Sequence, residues 1–376
     1  MKKNKIRVIS AVVSAIMLAS SASAFAKFDA YNDSDGFTLG HYEAEVNQEQ
    51  RADTEKLYEQ RPKNERQFEN LSRGLVAVPG ENGTLVSWRF LGTDSNSLTY
   101  NLYCSGEKLN DKPITTTNFF HTGASTNAEY TLKEVENGEE TGVEYTTTAW
   151  DKNYIGFKVT EREGYNIDDG AVADLDGDGE YEILLRRVPS MDVNTRTSYP
   201  VIEAYKTDGT HMWTIDIGPN EINEVDINFL AYDMDGDGKA EVIMRSFEGT
   251  TDGKGNTTGD TNGDGITDYS KSESNLAIFK DRQYIVSTPE FLSIYDGETG
   301  EETDRTDLKP SKEPLSDWSY RYSDTGRLTK RASHYLFGLA YLDGVTPSVV
   351  MVRGAWDNVR AAAWHIEDGK FKEDWV

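Results

Sequence analysis

A single cysteine, Cys104, stands in 376 residues, so no internal disulfide can staple the chain. Positive charge is also scarce: 39 Lys and Arg face 65 Asp and Glu, a formal net charge of −26. That balance argues against nucleic acid as a partner, because such binding rests on cations meeting phosphates. Acidic polysaccharides would be repelled too, unless bound cations or a local basic cleft reverse the field. Long apolar runs are missing after the first residues. The run from Val8 to Ala19 is too short to span a bilayer. It follows Lys2, Lys3, Lys5 and Arg7 and precedes Ala24-Phe25-Ala26, the layout of a secretory signal with its cleavage site. Residues 1–26 are therefore expected to be removed, leaving a secreted protein with no membrane span. Loss of those four basic residues takes the net charge from −26 to −30. A mature chain of roughly 350 residues suggests about two domains, and a monomer is expected.

What the chain has in quantity is acid, arranged in a loop that occurs three times. The copies are Asp174-Leu-Asp-Gly-Asp-Gly-Glu-Tyr-Glu182, Asp233-Met-Asp-Gly-Asp-Gly-Lys-Ala-Glu241 and Asp260-Thr-Asn-Gly-Asp-Gly-Ile-Thr-Asp268. Oxygen ligands at loop positions 1, 3, 5 and 9, with Gly at 6, follow the first nine positions of a calcium loop. The side-chain ligands would be Asp174, Asp176, Asp178 and Glu182; Asp233, Asp235, Asp237 and Glu241; and Asp260, Asn262, Asp264 and Asp268. Backbone carbonyls at position 7 would come from Glu180, Lys239 and Ile266. No apolar helix flanks these loops, and the first two lack Glu at position 12, so they are not EF-hands. Calcium is the expected cofactor, and chelation is expected to destabilise the fold.

Residues 27–72 read as a flexible polar lead-in, whose charged end at 60–72 suits a short helix or an extended arm. From Arg73 short alternating strands appear, among them Thr84-Leu-Val-Ser-Trp-Arg-Phe90 and Glu129-Tyr-Thr-Leu-Lys-Glu-Val135. Their spacing suggests a β-sandwich of fibronectin type III character over 73–160, with Trp88, Tyr100 and Tyr130 in its core. The remainder repeats. Ala171–Arg186 and Ala231–Arg245 each read strand, acidic loop, strand ending in Arg, and Ala340–Arg353 is a third copy with most acids lost. Hairpins beginning at Val201, Phe291 and Ala361 alternate with them. Two hairpins in succession make a four-stranded blade, and repeated blades make a β-propeller. The fold class is thus all-β, a sandwich followed over 161–376 by a calcium-binding β-propeller. At about 40–50 residues per blade only three to four blades fit, so the propeller is expected to be truncated.

Together these pieces resemble the calcium-dependent rhamnogalacturonan lyases of polysaccharide lyase family eleven. The resemblance runs from about residue 66 onward, through Arg73-Gly-Leu-Val-Ala-Val78, Ser87-Trp-Arg89 and the Asp-Gly-Asp-Gly loops. It continues in Glu248-Gly-Thr-Thr-Asp-Gly253, Pro289-Glu-Phe-Leu-Ser293, Gly338-Leu-Ala-Tyr-Leu-Asp-Gly344 and Arg353-Gly354. It implies a pectin-degrading enzyme that cleaves rhamnogalacturonan I by β-elimination, on an eight-bladed propeller with structural calcium. The chain departs from the family pattern at Arg186-Arg-Val-Pro-Ser-Met191, Val225-Asp-Ile-Asn228 and Ala355-Trp-Asp-Asn358.

Lyase chemistry on a uronate needs a base for the C5 proton and positive charge for the carboxylate. Arg186, Arg187, Arg245 and Arg353 lie at or near the ends of equivalent strands, whose tips would converge on one mouth of a propeller. Arg245, Arg353 and Arg187 are the expected catalytic contacts; Arg186, Trp356 and His334 are expected to bind substrate. Pairing of those arginines with the loop acids remains an open alternative. So do two rival functions: a non-catalytic calcium-dependent carbohydrate-binding or adhesion scaffold, and a truncated inactive remnant.

Overall fold

The computed structural model describes residues 66–376 apart from 124–126, 191–197, 222–226 and 281. The expected signal segment 1–26 and most of the lead-in lie outside the described residues. From residue 73 the described residues are organised mainly by β-strands and their turns, as the alternating apolar pattern and frequent Gly, Asn and Asp residues lead one to expect.

The first part holds β1 (Val76–Gly80), β2 (Gly83–Ser87), β3 (Thr99–Cys104), β4 (Glu107–Lys108), β5 (Asn118–Thr122), β6 (Glu129–Glu136) and β7 (Glu139–Thr148). They make a three-stranded sheet, β1-β2-β5, and a four-stranded sheet, β4-β3-β6-β7. Alternate residues point inward along each strand. Ala77 and Val86 from the first sheet thus share a core with Tyr100, Leu102, Tyr130 and Leu132 from the second. Trp88 packs edge-on against Tyr100 with ring centroids 5.2 Å apart. All three aromatics expected in this core are there.

The second part is three four-stranded antiparallel meanders. The first comprises β8 (Tyr165–Ala173), β9 (Glu182–Pro189), β10 (Val201–Tyr205) and β11 (His211–Asp216). The second comprises β12 (Phe229–Tyr232), β13 (Glu241–Phe247), β16 (Glu290–Tyr295) and β17 (Glu302–Asp307). Between β13 and β16 it carries an insertion with the hairpin β14 (Leu276–Phe279) and β15 (Arg282–Ile285). After β17 a helix, α1 (Thr325–Ser333), leads to the third meander: β18 (Tyr335–Ala340), β19 (Ser348–Arg353), β20 (Arg360–Glu367) and β21 (Lys370–Trp375). No helix among the described residues is long and apolar enough to cross a membrane.

The meanders stack face to face. One core joins Leu184, Ile202 and Trp213 of the first to Val242, Met244 and Tyr295 of the second. Another joins Ile243, Leu292 and Ile294 of the second to Val349, Met351 and Trp364 of the third. The leading strands adjoin, β12 touching β8 on one side and β18 on the other. Each acidic loop of the first two meanders therefore sits at the same end of its sheet, joining strand one to strand two. Residues 66–72 run across that end. Gln67 N donates to Val345 O at 2.9 Å, Ser72 N to Gly179 O at 2.9 Å, and Gln67 Nε2 to Asp233 O at 3.3 Å. The described end of the lead-in is thus an extended arm tied to all three strand-one-to-strand-two loops.

Gly297, in the turn between β16 and β17, shows how closely the first two meanders meet. Its carbonyl accepts the Trp213 Nε1 proton at 2.7 Å. A Cβ there would collide with Ala240 O and lie 3.0 Å from Leu175 O, both backbone atoms that cannot swing aside. Gly297→Ala should therefore cost about 1–3 kcal/mol of stability, read from the urea midpoint at unchanged m. A midpoint equal to that of the parent would show that the turn has room.

Candidate functional site

The acidic loops share one hydrogen-bonding plan. In the first, Gly177 N and Gly179 N donate to the two carboxylate oxygens of Asp174, each at 2.8 Å. In the second, Gly236 N and Gly238 N do the same to Asp233, at 2.7 and 3.0 Å. The donors are aimed this way because all four glycines hold φ between 78° and 95°, where side-chain-bearing residues are strained. The position-9 glutamates close each loop: Leu175 N donates to Glu182, and Met234 N to Glu241, both at 2.8 Å. As a result, ligand oxygens of Asp174, Asp176 and Glu182 lie within 4.8 Å of one another, as do those of Asp233, Asp235 and Glu241.

Asp178 and Asp237 stand outside those triads. They accept backbone protons from Glu180 and Lys239, at 2.9 and 2.8 Å. The third loop copies the glycine bonds, with Gly263 N and Gly265 N on Asp260 at 2.7 and 2.8 Å. Its position-9 residue, however, turns elsewhere. Asp268 caps the short turn that follows, accepting from Ser270 N at 3.1 Å and pairing with Lys271 at 3.0 Å. The third loop also repeats the position-5 bond, Ile266 N donating to Asp264 at 2.8 Å, but its position-2 proton goes from Thr261 N to Glu248 at 2.7 Å, and its acids gather into no such triad.

The two triads fit a hard divalent cation. Their donors are all oxygen, the set that calcium takes. Asp176 Oδ1 is buried without a hydrogen-bond partner, while Asp176 Oδ2 holds the ammonium of Lys206. Burial, aided by Asp235, Asp233 and Asp237, pushes Glu241 from 4.5 up to about 8. Glu69 of the arm is pushed from 4.5 up to about 7 by burial and by Asp233 and Asp174. Such raised values set a pH dependence. Between about pH 4.5 and 8 the folded carboxyls keep protons that the unfolded chain has released, so stability falls as pH rises. In chelator the melting temperature should fall steadily across that window, and calcium should abolish the fall. A chelator profile that is flat or rises there would contradict the reading.

The four arginines all lie on second or equivalent strands and are buried. Their partners divide them. Arg353 is 0% exposed; Nη2 donates to Glu290 Oε2 at 2.6 Å, Nη1 to Pro310 O at 3.0 Å, and Nε to Ala332 O. Arg245 reaches Glu290 Oε1 at 3.4 Å and Ser333 O at 3.2 Å, pairs with Glu221, and lies 4.4 Å from the Tyr335 ring centre. Burial alone would raise Glu290, but Arg353, Lys312 and Arg245 outweigh it and hold the carboxyl below its usual range. Arg187 instead binds Glu203 Oε2 at 3.0 Å and Thr160 O at 2.7 Å. Arg186 binds Asp168 and Ile227 O. The expected convergence therefore holds for Arg245 and Arg353 alone. Arg186 and Arg187 are consecutive on β9, and neighbours on a strand point to opposite faces. None of the four pairs with an acid of the loops among the described residues.

Arg245 and Arg353 meet at the end of α1. The carbonyls of Ala332 and Ser333 fall in the last turn, where intrahelical donors run out, and the two guanidiniums supply the missing bonds. At its other end Asp324 caps the helix, accepting from Arg327 N at 2.9 Å. Gly326 packs on the Ile278 carbonyl of β14, so close that no Cβ would fit. Fixed in this way, α1 and the β14–β15 hairpin enclose a cavity of about 480 Å³. Phe279, Lys280, Tyr284, Arg327, Lys330 and Trp356 line it. Trp356 is 69% exposed and stacks on His334 with centroids 6.0 Å apart, and Lys330 Nζ lies 4.7 Å from its ring centre. Trp356 and His334, both expected to contact substrate, are thus brought together. Arg327, Lys330 and Lys280 were not anticipated. The signal lay in the basic run Arg327-Leu-Thr-Lys-Arg331, which has no acidic residue within it.

A description of the C-terminal domain of rhamnogalacturonan lyase family 11 matches residues 156–376. One of the beta-sheet domain of rhamnogalacturonan I lyases matches residues 66–150. The chain is 36% identical over 326 residues to rhamnogalacturonan endolyase YesW of Bacillus subtilis, covering 83% of this chain and 50% of that protein. It is also 36% identical over 328 residues to the exolyase YesX of the same organism, with the same coverage. The crystal structure of YesX aligns with a TM-score of 0.70, over 83% of this chain and 51% of that one. A rhamnogalacturonan lyase from Bacillus licheniformis aligns at 0.68 with 37% identity, over 83% and 53%. The chain spans about half the length of the curated relatives it matches. With its sandwich and its meanders each matched in order, the chain belongs to rhamnogalacturonan lyase family 11.

Proposed function

We propose that this protein is a secreted, calcium-dependent lyase that cleaves the rhamnogalacturonan backbone of pectin by β-elimination. The observation that carries the proposal is the Trp356–His334 stack with Lys330 and Arg327 beside it. These two cations have no carboxylate partner among the described residues, in a chain whose net charge is −26. Such a local reversal of sign suits a polymer of sugar and uronate, with the aromatic face taking a sugar ring and the cations its carboxylate. The reading extends the fold as well: the three meanders are blades of a propeller, and the sheets before them are a fibronectin III-like module. Calcium held by the Asp174 and Asp233 triads supplies the charge that lets those carboxylates sit together and braces the loops under the arm.

In the reaction itself a base takes the C5 proton of a galacturonate, its electron pair forms the C4–C5 double bond, and the C4–O bond breaks toward the leaving sugar. Positive charge near the carboxylate lowers the barrier to proton loss. In this reading Arg353, fully buried, and Arg245, 3% exposed, act as positioning residues for α1. Their burial favours that role over the direct uronate contact expected for them, and Arg187 is bound to Glu203. Mass spectrometry of products from rhamnogalacturonan tests the chemistry: each new non-reducing end should be lighter by one water than a hydrolytic end. Products carrying that water would contradict elimination. Binding of the polymer without any cleavage would favour a non-catalytic carbohydrate-binding module.

A further inference from the structure

We propose that the third acidic loop holds a divalent cation of its own, closed by Glu248, the residue that follows β13, in the place that Asp268 has left. The ligands are the carboxylates of Asp260 and Glu248, the amide oxygen of Asn262 and the backbone carbonyl of Ile266. This site belongs to the insertion between β13 and β16, apart from the Asp174 and Asp233 triads. It rests on the reading that such loops take calcium and adds a ligand that lies outside the loop.

The position-2 proton identifies the closing carboxylate. In the first two loops it goes to the position-9 glutamates, from Leu175 N to Glu182 and from Met234 N to Glu241. In the third it goes from Thr261 N to Glu248 Oε1 at 2.7 Å, and the Thr261 hydroxyl donates to the same oxygen. Glu248, 13 residues before Thr261, thus takes up the bond that defines the closing glutamate. Its other oxygen carries the argument. Glu248 is 0% exposed, and Oε2 is buried with no hydrogen-bond partner among the described residues. A carboxylate oxygen left bare in the interior is costly, and a cation relieves that cost. The carboxylate is also set against the loop by the backbone. Asn220 Nδ2 donates to Glu248 O at 2.7 Å and to Thr267 O at 3.0 Å, while Asn220 Oδ1 accepts from Tyr269 N at 2.8 Å. One side chain therefore ties the end of β13 to the far end of the loop. Two carboxylates and an amide carry less negative charge than the three carboxylates of each triad, so this ion is held more weakly. Residues 260–267 are exposed, so the ion stiffens the insertion and adds little to the melting temperature of the stacked meanders.

Calorimetric titration of the metal-stripped full chain with calcium chloride is the test. It should count three ions, two tight and one about 10-fold or more weaker. Glu248→Gln keeps an oxygen for the Thr261 proton but loses the charge, so it should abolish the weak ion and leave both tight ones. Asp268→Asn should leave the count at three. Asn262→Asp, made at an exposed position, should tighten the weak ion about 10-fold, and it decides the matter if Glu248→Gln folds poorly. Amide exchange gives a local readout: calcium should slow residues 260–267 in the parent and leave them unchanged in Glu248→Gln. A parent that binds only two ions would overturn the proposal. So would a weak ion that survives Glu248→Gln, vanishes in Asp268→Asn, or is indifferent to Asn262→Asp. Binding of no ion at all would overturn the calcium reading of the first two loops as well, whereas two ions that are lost on substituting Asp174 and Asp233 would overturn this site alone.

Discussion

Glu290→Ala should be among the most damaging single substitutions in this chain, costing about 3–5 kcal/mol or preventing folding. The carboxylate bridges Arg353 at 2.6 Å and Arg245 at 3.4 Å, and all three side chains are at most 5% exposed. Its removal leaves two guanidiniums in a desolvated site with fewer partners, which is far costlier than losing an attraction in water. The contrast with the surface is instructive. Lys309 and Glu373 also pair, at 2.6 Å, but are 48% and 40% exposed. Lys309→Ala should therefore change stability by less than about 1 kcal/mol. Because both arginines hold the last carbonyls of α1, the damage should reach the helix and its cavity, as seen in amide exchange of 325–333. Urea unfolding reads the difference; a Glu290→Ala loss as small as that of Lys309→Ala would contradict the network.

Removal of calcium should have the second large effect. A ligand present at 100 times its dissociation constant stabilises by about 2.7 kcal/mol per site. Two such sites in the Asp174 and Asp233 loops would together shift the melting temperature by about 10 °C or more. Asp233→Asn should remove about half of the calcium response, since Asp233 would ligate the ion and also organises its loop through Gly236 and Gly238. Asp260→Asn should leave the response nearly intact, because the acids of the third loop gather into no triad like those of the other two. A melt insensitive to chelator would remove calcium from this account.

The repeat was readable because its period is local. A strand, an acidic turn and a second strand are written within fifteen residues or so, and the glycines at positions 4 and 6 specify the turn without help from elsewhere. The third loop shows the limit of such spelling. It has the right residues, yet Asp268 is recruited by its own neighbours Ser270 and Lys271, a competition that only local geometry reveals. The arginines show another limit. Their place near strand ends is legible, but which face each occupies depends on the register of β9, β13 and β19 against their neighbours. Glu290, the anion that gathers two of them, comes 45 residues after Arg245 and 63 before Arg353, beyond the reach of any motif. The helix α1 was missed for a different reason. It has only Leu328 and Ala332 as apolar residues at helical spacing, and begins with Thr-Gly, poor helix formers. Tertiary contacts make it: the Asp324 cap, the seat of Gly326 on β14, and the two arginines on its last turn.

The central claim is elimination on rhamnogalacturonan by a calcium-braced fold. Ultraviolet absorbance of the polymer incubated with the purified chain, with calcium and with chelator, tests it most directly. The account predicts a steady rise from the unsaturated uronate in calcium and little or none in chelator. No rise in calcium, from protein shown to be folded by its melt, would contradict it.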